Sequence, residues 1–198
     1  MKYVAESERL GLQPLSVDLH LEGYHASHSN PKTMKFLHRE PAKTIEESRA
    51  HMIARHLPSA EQPHKELYAI LLRGSEDESG KPKMVGSCGI PRIGADGKAV
   101  EVGYSVTPEY WGNGYAPEAV KLFCRYYWNE RVGGASGEKR DMIIAYTDPE
   151  NTASARVLEK SGFTKEELIE EAYEAPDTET KELRWWPAFK WHLERPKP

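Results

Sequence analysis

Within one stretch, Val100 to Glu130, the spacing of apolar positions changes from strand-like to helix-like. Val100, Val102, Tyr104 and Val106 alternate, so they share one face of a strand. Pro108 breaks the pattern, Gly112 and Gly114 follow, and from Ala116 the period becomes helical. Ala116, Ala119, Val120, Phe123, Cys124 and Tyr127 then fall on one apolar stripe. Strand, glycine loop, helix is the predicted order. Glycines let a ligand approach the backbone, and the first turn of the helix offers unpaired N–H groups at its positive end. Such a junction binds anions, phosphates above all.

The remaining elements follow from the same reading. Leu15, Val17, Leu19 and Leu21 alternate and predict a half-buried strand. Asn30-Pro31 predicts the start of a short helix over residues 32–37. Thr44-Ile45-Glu46-Glu47 is a capping box, and the helix after it, to about Leu57, turns Ile45, Met52, Ile53 and His56 inward until Pro58 ends it. Leu67 to Leu72 reads as a central strand and Lys83 to Ile93 as the next, with a polar connector from Gly74 to Pro82 between them. Gly94-Ala95-Asp96-Gly97 predicts a hairpin turn into Val100. Beyond the central helix come a loop at Gly133 to Gly137 and a strand from Asp141 to Tyr146. Asp148 or Asn151 caps a further helix that Gly162 closes. Phe163 to Tyr173 and Leu183 to Leu193 make a last antiparallel pair. Without repeats or a composition break, the pattern predicts one domain over residues 1–198, core about 15–194, of the α/β or α+β class.

Composition narrows the function. The 198 residues are 38% hydrophobic and 29% charged, with a net charge of −4, so no basic bias invites nucleic acid or anionic membrane. Nothing in the sequence is long and apolar enough to span a bilayer or to act as an N-terminal signal. Cys88 and Cys124 fall inside predicted elements and read as buried thiols. A cytoplasmic enzyme, monomer or homodimer, fits these bounds. Seven of the eight histidines precede Lys65, and His25-x-x-His28 has metal-like spacing. No cysteine or carboxylate completes a site there, so no metal is expected.

The phosphate site has no P-loop signature, and Pro117 stands where a dinucleotide fingerprint needs its third glycine. The wider run Pro108-Glu109-Tyr110-Trp111-Gly112-Asn113-Gly114-Tyr115-Ala116 instead resembles the coenzyme A motif of the GNAT N-acetyltransferases, Gln/Arg-x-x-Gly-x-Gly/Ala. Gly114 and Ala116 match it, while Trp111 replaces Gln or Arg, as in the ribosomal-protein-alanine (RimJ/RimL-type) branch. A second run, Asn151-Thr152-Ala153-Ser154 to Glu159-Lys160-Ser161-Gly162-Phe163, is similar to the end of the family's last helix. The resemblance implies a mixed, mostly antiparallel sheet of about seven strands with helices on both faces. It also implies acetyl transfer from acetyl-CoA to a primary amine, a protein N-terminus or a small molecule, by direct attack.

By that resemblance the backbone from Trp111, Gly112, Asn113, Gly114 and Tyr115 to Ala116 holds the pyrophosphate. The strand edge at Ser105 and Val106 takes the pantetheine arm, and Asn151 and Ser154 contact it. Asn151 is also a natural helix cap. For the base, a lysine near pKa ~10.4 is neutral about once in a few thousand molecules at pH 7, an α-amine near ~7.8 about once in seven. Glu101 ranks first for that role, with Glu109 behind it. The tyrosine that much of the superfamily uses as acid is Leu158 here, which leaves Ser154, Tyr173 or water. Trp185 and Trp186 read equally as acceptor-pocket or core residues. A non-catalytic acyl-CoA sensor and a nucleotide-binding Rossmann module are the rival readings.

Overall fold

The computed structural model describes residues 2–76, 80–95, 97–130, 140–177 and 180–197. Its strands are β1 (Ala5–Glu6), β2 (Leu10–Pro14), β3 (Glu66–Glu76), β4 (Pro82–Ile93), β5 (Ala99–Val106), β6 (Met142–Thr147), β7 (Thr164–Pro176) and β8 (Leu183–Glu194). Its α-helices are α1 (Val17–His28), α2 (Pro31–Met34), α3 (Ile45–His51), α4 (Tyr115–Arg125) and α5 (Thr152–Lys160). All eight strands join one sheet in the order β1-β2-β3-β4-β5-β6-β8-β7. Every neighbouring pair is antiparallel except β5 with β6. The sheet has eight strands rather than about seven because the two-residue β1, too short to show a period, pairs with β2.

Both faces are covered. Val100, Val102 and Val106 pack with Ala119, Val120, Phe123 and Tyr127 of the α4 region and with Leu158 of α5. Each large apolar side chain fully buried in this way contributes roughly 1.5–3 kcal/mol. On the other face Leu21, Tyr24 and Met52 cover Ala69 and Leu71. Ala5, Leu10 and Leu12 belong to the packed core, so it begins before residue 15. Cys88 and Cys124 are both free and buried, as expected.

The expected strand at Leu15 to Leu21 is the start of α1 instead. Ser16 caps it, its hydroxyl accepting from the Leu19 N–H. Leu19 is 43% exposed, and the buried residues of the helix are His20, Leu21, Tyr24, Ser27 and His28. The inner stripe is helical, but histidine and tyrosine supply three of its five buried residues, so counting aliphatic side chains alone finds a false alternation. Thr44 does cap α3, its hydroxyl accepting from the Glu47 N–H. That helix continues as a π-wound segment over Met52–His56, which turns Ile53 outward, 52% exposed, while Met52 stays fully buried. The expected turn at Asp96, the connector at 77–79 and the loop at 133–137 lie outside the described residues, in part or wholly.

One irregularity sets up the site. β5 and β6 stay paired only through Ala99–Met142, Val100–Ile143 and Glu101–Ile144. Beyond Glu101, β5 follows β4 as far as Val106 and β6 follows β8 as far as Thr147. The two strands part, and a gap opens in the middle of the sheet.

Candidate active site

The gap has one polar edge built by register. The Thr107 N–H donates to the Val85 carbonyl, and Ser87 pairs with Ser105. Residues 105 and 107 therefore aim their backbone groups at β4, and by alternation Tyr104 and Val106 aim theirs into the gap. The Trp111 indole N–H donates to the Val106 carbonyl at 2.6 Å, from the gap side. Of the two expected edge residues, Val106 faces the gap, whereas the Ser105 backbone is taken up by β4, and Tyr104 supplies the other edge groups.

The glycine loop lies at the end of β5. Gly112 and Gly114 have φ of +80° and +77°, backbone that residues with a Cβ rarely adopt. Gly114 is the N-cap of α4. Trp111 and Asn113 use their side chains to fix the loop: the Asn113 amide donates to the Tyr110 and Trp111 carbonyls at 3.1 and 3.2 Å. Among the described residues no backbone carbonyl accepts from the N–H groups of residues 112–114. Together with the first-turn donors of α4, these form a nest of the kind that takes an anion.

Arg9, which no sequence signal singled out, closes one side of this nest from the β1–β2 turn. Its Nη1 donates to the Asn113 carbonyl at 3.0 Å, its Nε to Glu118 at 2.8 Å, and its guanidinium lies 4.9 Å from the Tyr115 ring centre. Glu118 also accepts from the Ser7 hydroxyl at 2.7 Å, and these bonds hold its carboxyl below the ordinary range against the opposing effect of burial. The partners lie more than one hundred residues apart, beyond the reach of any local pattern.

On the far wall Asn151 caps α5, its Oδ1 accepting from the Ser154 N–H at 3.0 Å. The Tyr104 hydroxyl crosses to Ser154, 2.7 Å from its Oγ and 3.1 Å from its carbonyl oxygen. Burial raises the Tyr104 pKa, so the phenol is neutral. Leu158, in the superfamily tyrosine position, is fully buried in the core.

Glu101 is the last residue of the β5–β6 register. It is 8% exposed and held by Arg92, Nε to Oε2 at 2.9 Å. Burial raises its pKa, with Arg92 opposing. Glu109 stands exposed on the turn before the glycine loop, without a hydrogen bond or ion pair among the described residues. Tyr173 hydrogen-bonds His38 Nε2 at 2.9 Å, and burial pushes its pKa up to about 12. His38 is a second residue the sequence concealed. It is 7% exposed, has φ of +49°, packs on Trp186 with ring centres 3.8 Å apart and lies 3.8 Å from Asp148. A non-glycine side chain held in left-handed backbone and buried among polar groups is a feature of functional sites. Trp186 is half-buried on this cluster, whereas Trp185 is 52% exposed.

The family model for the acetyltransferase (GNAT) domain matches residues 9–164. The chain belongs to the GNAT acetyltransferases. It is 36% identical to YkkB of Bacillus subtilis over 103 residues, 52% of this chain and 55% of that protein. With the N-acetyltransferase YoaA of the same organism it shares 26% identity over 84% of this chain and 85% of the relative. The GNAT fold recurs in the Salmonella typhimurium acetyltransferase that modifies the N-terminal serine of ribosomal protein L7/L12, with a TM-score of 0.71, 16% identity and coverage of 98% and 100%. It recurs also in the spermidine N-acetyltransferase of Vibrio cholerae bound to CoA and spermine, at 0.66, 16%, 96% and 97%. The GNAT chain is thus an acetyl-CoA-dependent acyltransferase.

Proposed function

We propose that this GNAT enzyme acetylates a monoamine, an α-amine of a protein N-terminus or a small primary amine, by direct attack within the gap between β5 and β6. The observation that carries the reading is the convergence of three features on that gap: the anion nest at Gly112 to Ala116, the edge at Tyr104 and Val106, and the Tyr104–Ser154 pair. The nest takes the CoA pyrophosphate. The pantetheine arm lies along the edge, and the Asn151 amide nitrogen, which its cap does not use, is left to contact it.

The amine nitrogen attacks the thioester carbonyl carbon, and its surplus proton passes to Glu101 directly or through one water. The C–S bond then breaks, the amide forms, and the departing thiolate takes the Ser154 hydroxyl proton, which solvent restores. Glu101 suits this role because burial raises its pKa towards the working pH.

The pairing of carboxylates on β5 and on the β7–β8 hairpin argues against a polyamine. Glu101 pairs with Arg92, Glu166 with Lys190 and His192, and Asp177 with Arg184, so these carboxylates are neutralised within the protein. A multiply charged acceptor gains little there. An α-amine, neutral about once in seven at pH 7, needs neither an anionic cleft nor a strong base.

The test pairs thermal stabilisation by acetyl-CoA, CoA, NAD and ATP with thiol release over N-terminal peptides, small monoamines and spermidine. Stabilisation by the CoA species and release with the first two classes is the expected result. Release with spermidine alone overturns the acceptor class, and stabilisation without any release favours a non-catalytic acyl-CoA sensor.

A further inference from the structure

The histidines that look scattered in the sequence converge in space. His28 on α1, His51 at the end of α3 and His56 in the π-wound segment each offer one nitrogen within 4.8 Å of the other two. Their ring centres lie 5.0 to 5.6 Å apart. Tyr24 completes the group, its hydroxyl 2.6 Å from His51 Nδ1 and 2.8 Å from His56 Nδ1. A phenol has one proton, so it donates to one of these rings and accepts from the other. From this geometry we propose that His28, His51 and His56, with Tyr24 beside them, form a site for a borderline transition-metal dication such as Zn²⁺ that clamps α1 to α3.

The local winding explains how the ligands meet. On an ordinary α-helix residues five apart point about 140° away from each other. The π-wound turn at Met52–His56, where the Leu57 N–H bonds the Met52 carbonyl, brings His56 round to the side of His51. Inserted turns of this kind are frequent at functional sites. His28 is oriented from behind: its Nδ1 donates to the Tyr24 carbonyl at 3.0 Å, which leaves Nε2 with its lone pair free to bind. It stacks on the Tyr24 ring at 3.8 Å, which fixes its plane.

The donor set selects the ion. Three imidazoles and a phenol suit zinc, copper or nickel, whereas magnesium and calcium require carboxylate and carbonyl oxygens. Imidazole is the commonest side-chain metal ligand, and three of them meet here. An ion with bonds near ~2.0–2.1 Å in tetrahedral geometry needs its nitrogens roughly 3.3 Å apart. The nitrogens must therefore close by at most about 1.5 Å, a distance that rotation of imidazole side chains covers. A cavity of about 820 Å³ lined by His28, His51, Arg39, Glu47 and Arg55 gives the ion a way in. None of the residues bordering the β5–β6 gap lines this cavity, so the clamp is separate from the acetyl-transfer site.

The test titrates chelator-stripped full-length protein with ZnCl₂ by calorimetry, with Co²⁺ absorption reporting coordination geometry. The wild type should bind one Zn²⁺ per chain, melt several degrees higher with it and give tetrahedral Co²⁺ bands. His51→Gln and His56→Gln should each weaken Zn²⁺ at least about 10-fold. Stabilisation by CoA shows that the variants are folded. His25→Gln, whose ring bonds Ser48 instead, should bind as the wild type does. Absence of stoichiometric binding in the wild type, or full affinity in a folded His51→Gln/His56→Gln double variant, overturns the proposal.

Discussion

The Tyr104 hydroxyl lies 2.7 Å from Ser154 Oγ, bridging strand β5 to the first turn of helix α5 across the opening between β5 and β6. Ser154 is fixed from two sides, since its N–H is also held by Asn151 Oδ1 at 3.0 Å. The backbone of Ser154 is thus fixed by the cap and its hydroxyl is engaged by Tyr104. In the proposed mechanism this hydroxyl takes the place of the superfamily tyrosine, whose position Leu158 occupies.

Removing either end of this bridge should slow the chemical step more than it weakens the cofactor. Ser154→Ala and Tyr104→Phe are each expected to lower kcat by about 10-fold or more, within the range for a displaced proton donor. The KM for acetyl-CoA should move less than about 3-fold, because neither hydroxyl bears on the pyrophosphate. Steady-state kinetics with a single acceptor decides the point. A kcat unchanged in Ser154→Ala would assign the leaving-group proton to water or Tyr173.

Gly114→Val tests the anion nest. A branched side chain at φ of +77° costs about 1–2 kcal/mol of backbone strain. Its Cβ would meet only Arg9, at 3.6 Å, so the fold should survive. Gly97→Val is the control: φ of +70°, open space around it and no part in the loop. Both variants should lose similar stability, but only Gly114→Val should weaken acetyl-CoA binding by at least about 10-fold, as calorimetry would read it. Equal affinity in the two would remove the cofactor from this loop.

The part of the site that could be read in the sequence is the part made of consecutive residues. β5, the glycine loop and α4 announce themselves because the period changes from two to 3.6 within one stretch, and Asn151 and Gly162 bracket α5 as expected. What stayed hidden is assembled from distant segments. Arg9 reaches Glu118, Tyr104 reaches Ser154, and His38 reaches Tyr173, across 109, 50 and 135 residues. The α1 stripe was lost for another reason: His20, Tyr24 and His28 are buried there by hydrogen bonding and stacking, which apolar counting does not register. The same blindness made three converging imidazoles look scattered. The alternation puts Ser105 and Val106 on the right strand, but which of them faces the gap depends on the β4–β5 register, fixed only in the folded sheet.

Arg9→Ala should raise the KM for acetyl-CoA several-fold with little change in kcat. Among the described residues Arg9 bonds the glycine loop and α4, not Glu101 or Ser154. It holds the Asn113 carbonyl and the Glu118 carboxylate, and so the shape of the nest, while adding one positive charge beside it. The pair is 44% and 20% exposed, so the loss of global stability should stay below about 1 kcal/mol. Arg9→Lys should restore the charge but not the two-sided grip, and recover the KM only in part. A fall in kcat at unchanged KM would place Arg9 in the chemistry instead.

Glu101→Gln separates the cost of the site from its use. Burial raises the Glu101 pKa, so the folded protein holds that proton more tightly than the unfolded chain does. The group's favourable contribution is therefore present below the ordinary glutamate pKa and is lost as pH rises through the higher folded value. Once ionised, the buried carboxylate is a burden that Arg92 relieves only in part. Replacing it with glutamine should leave the melting temperature at pH 7.5 unchanged or higher, and remove its share of the decline in stability between acid and neutral pH. Activity should run the other way. A base must be ionised to accept the amine proton, so the wild-type kcat/KM should rise with pH through a carboxylate pKa above the ordinary range, and the variant should lose that limb along with about 10²-fold in rate. The paired measurements are melting curves and pH–rate profiles of both proteins. If the limb survives in Glu101→Gln and vanishes in His38→Gln, the proton goes to the imidazole beside Asp148 and Tyr173, and Glu101 merely fixes Arg92 at the mouth of the gap.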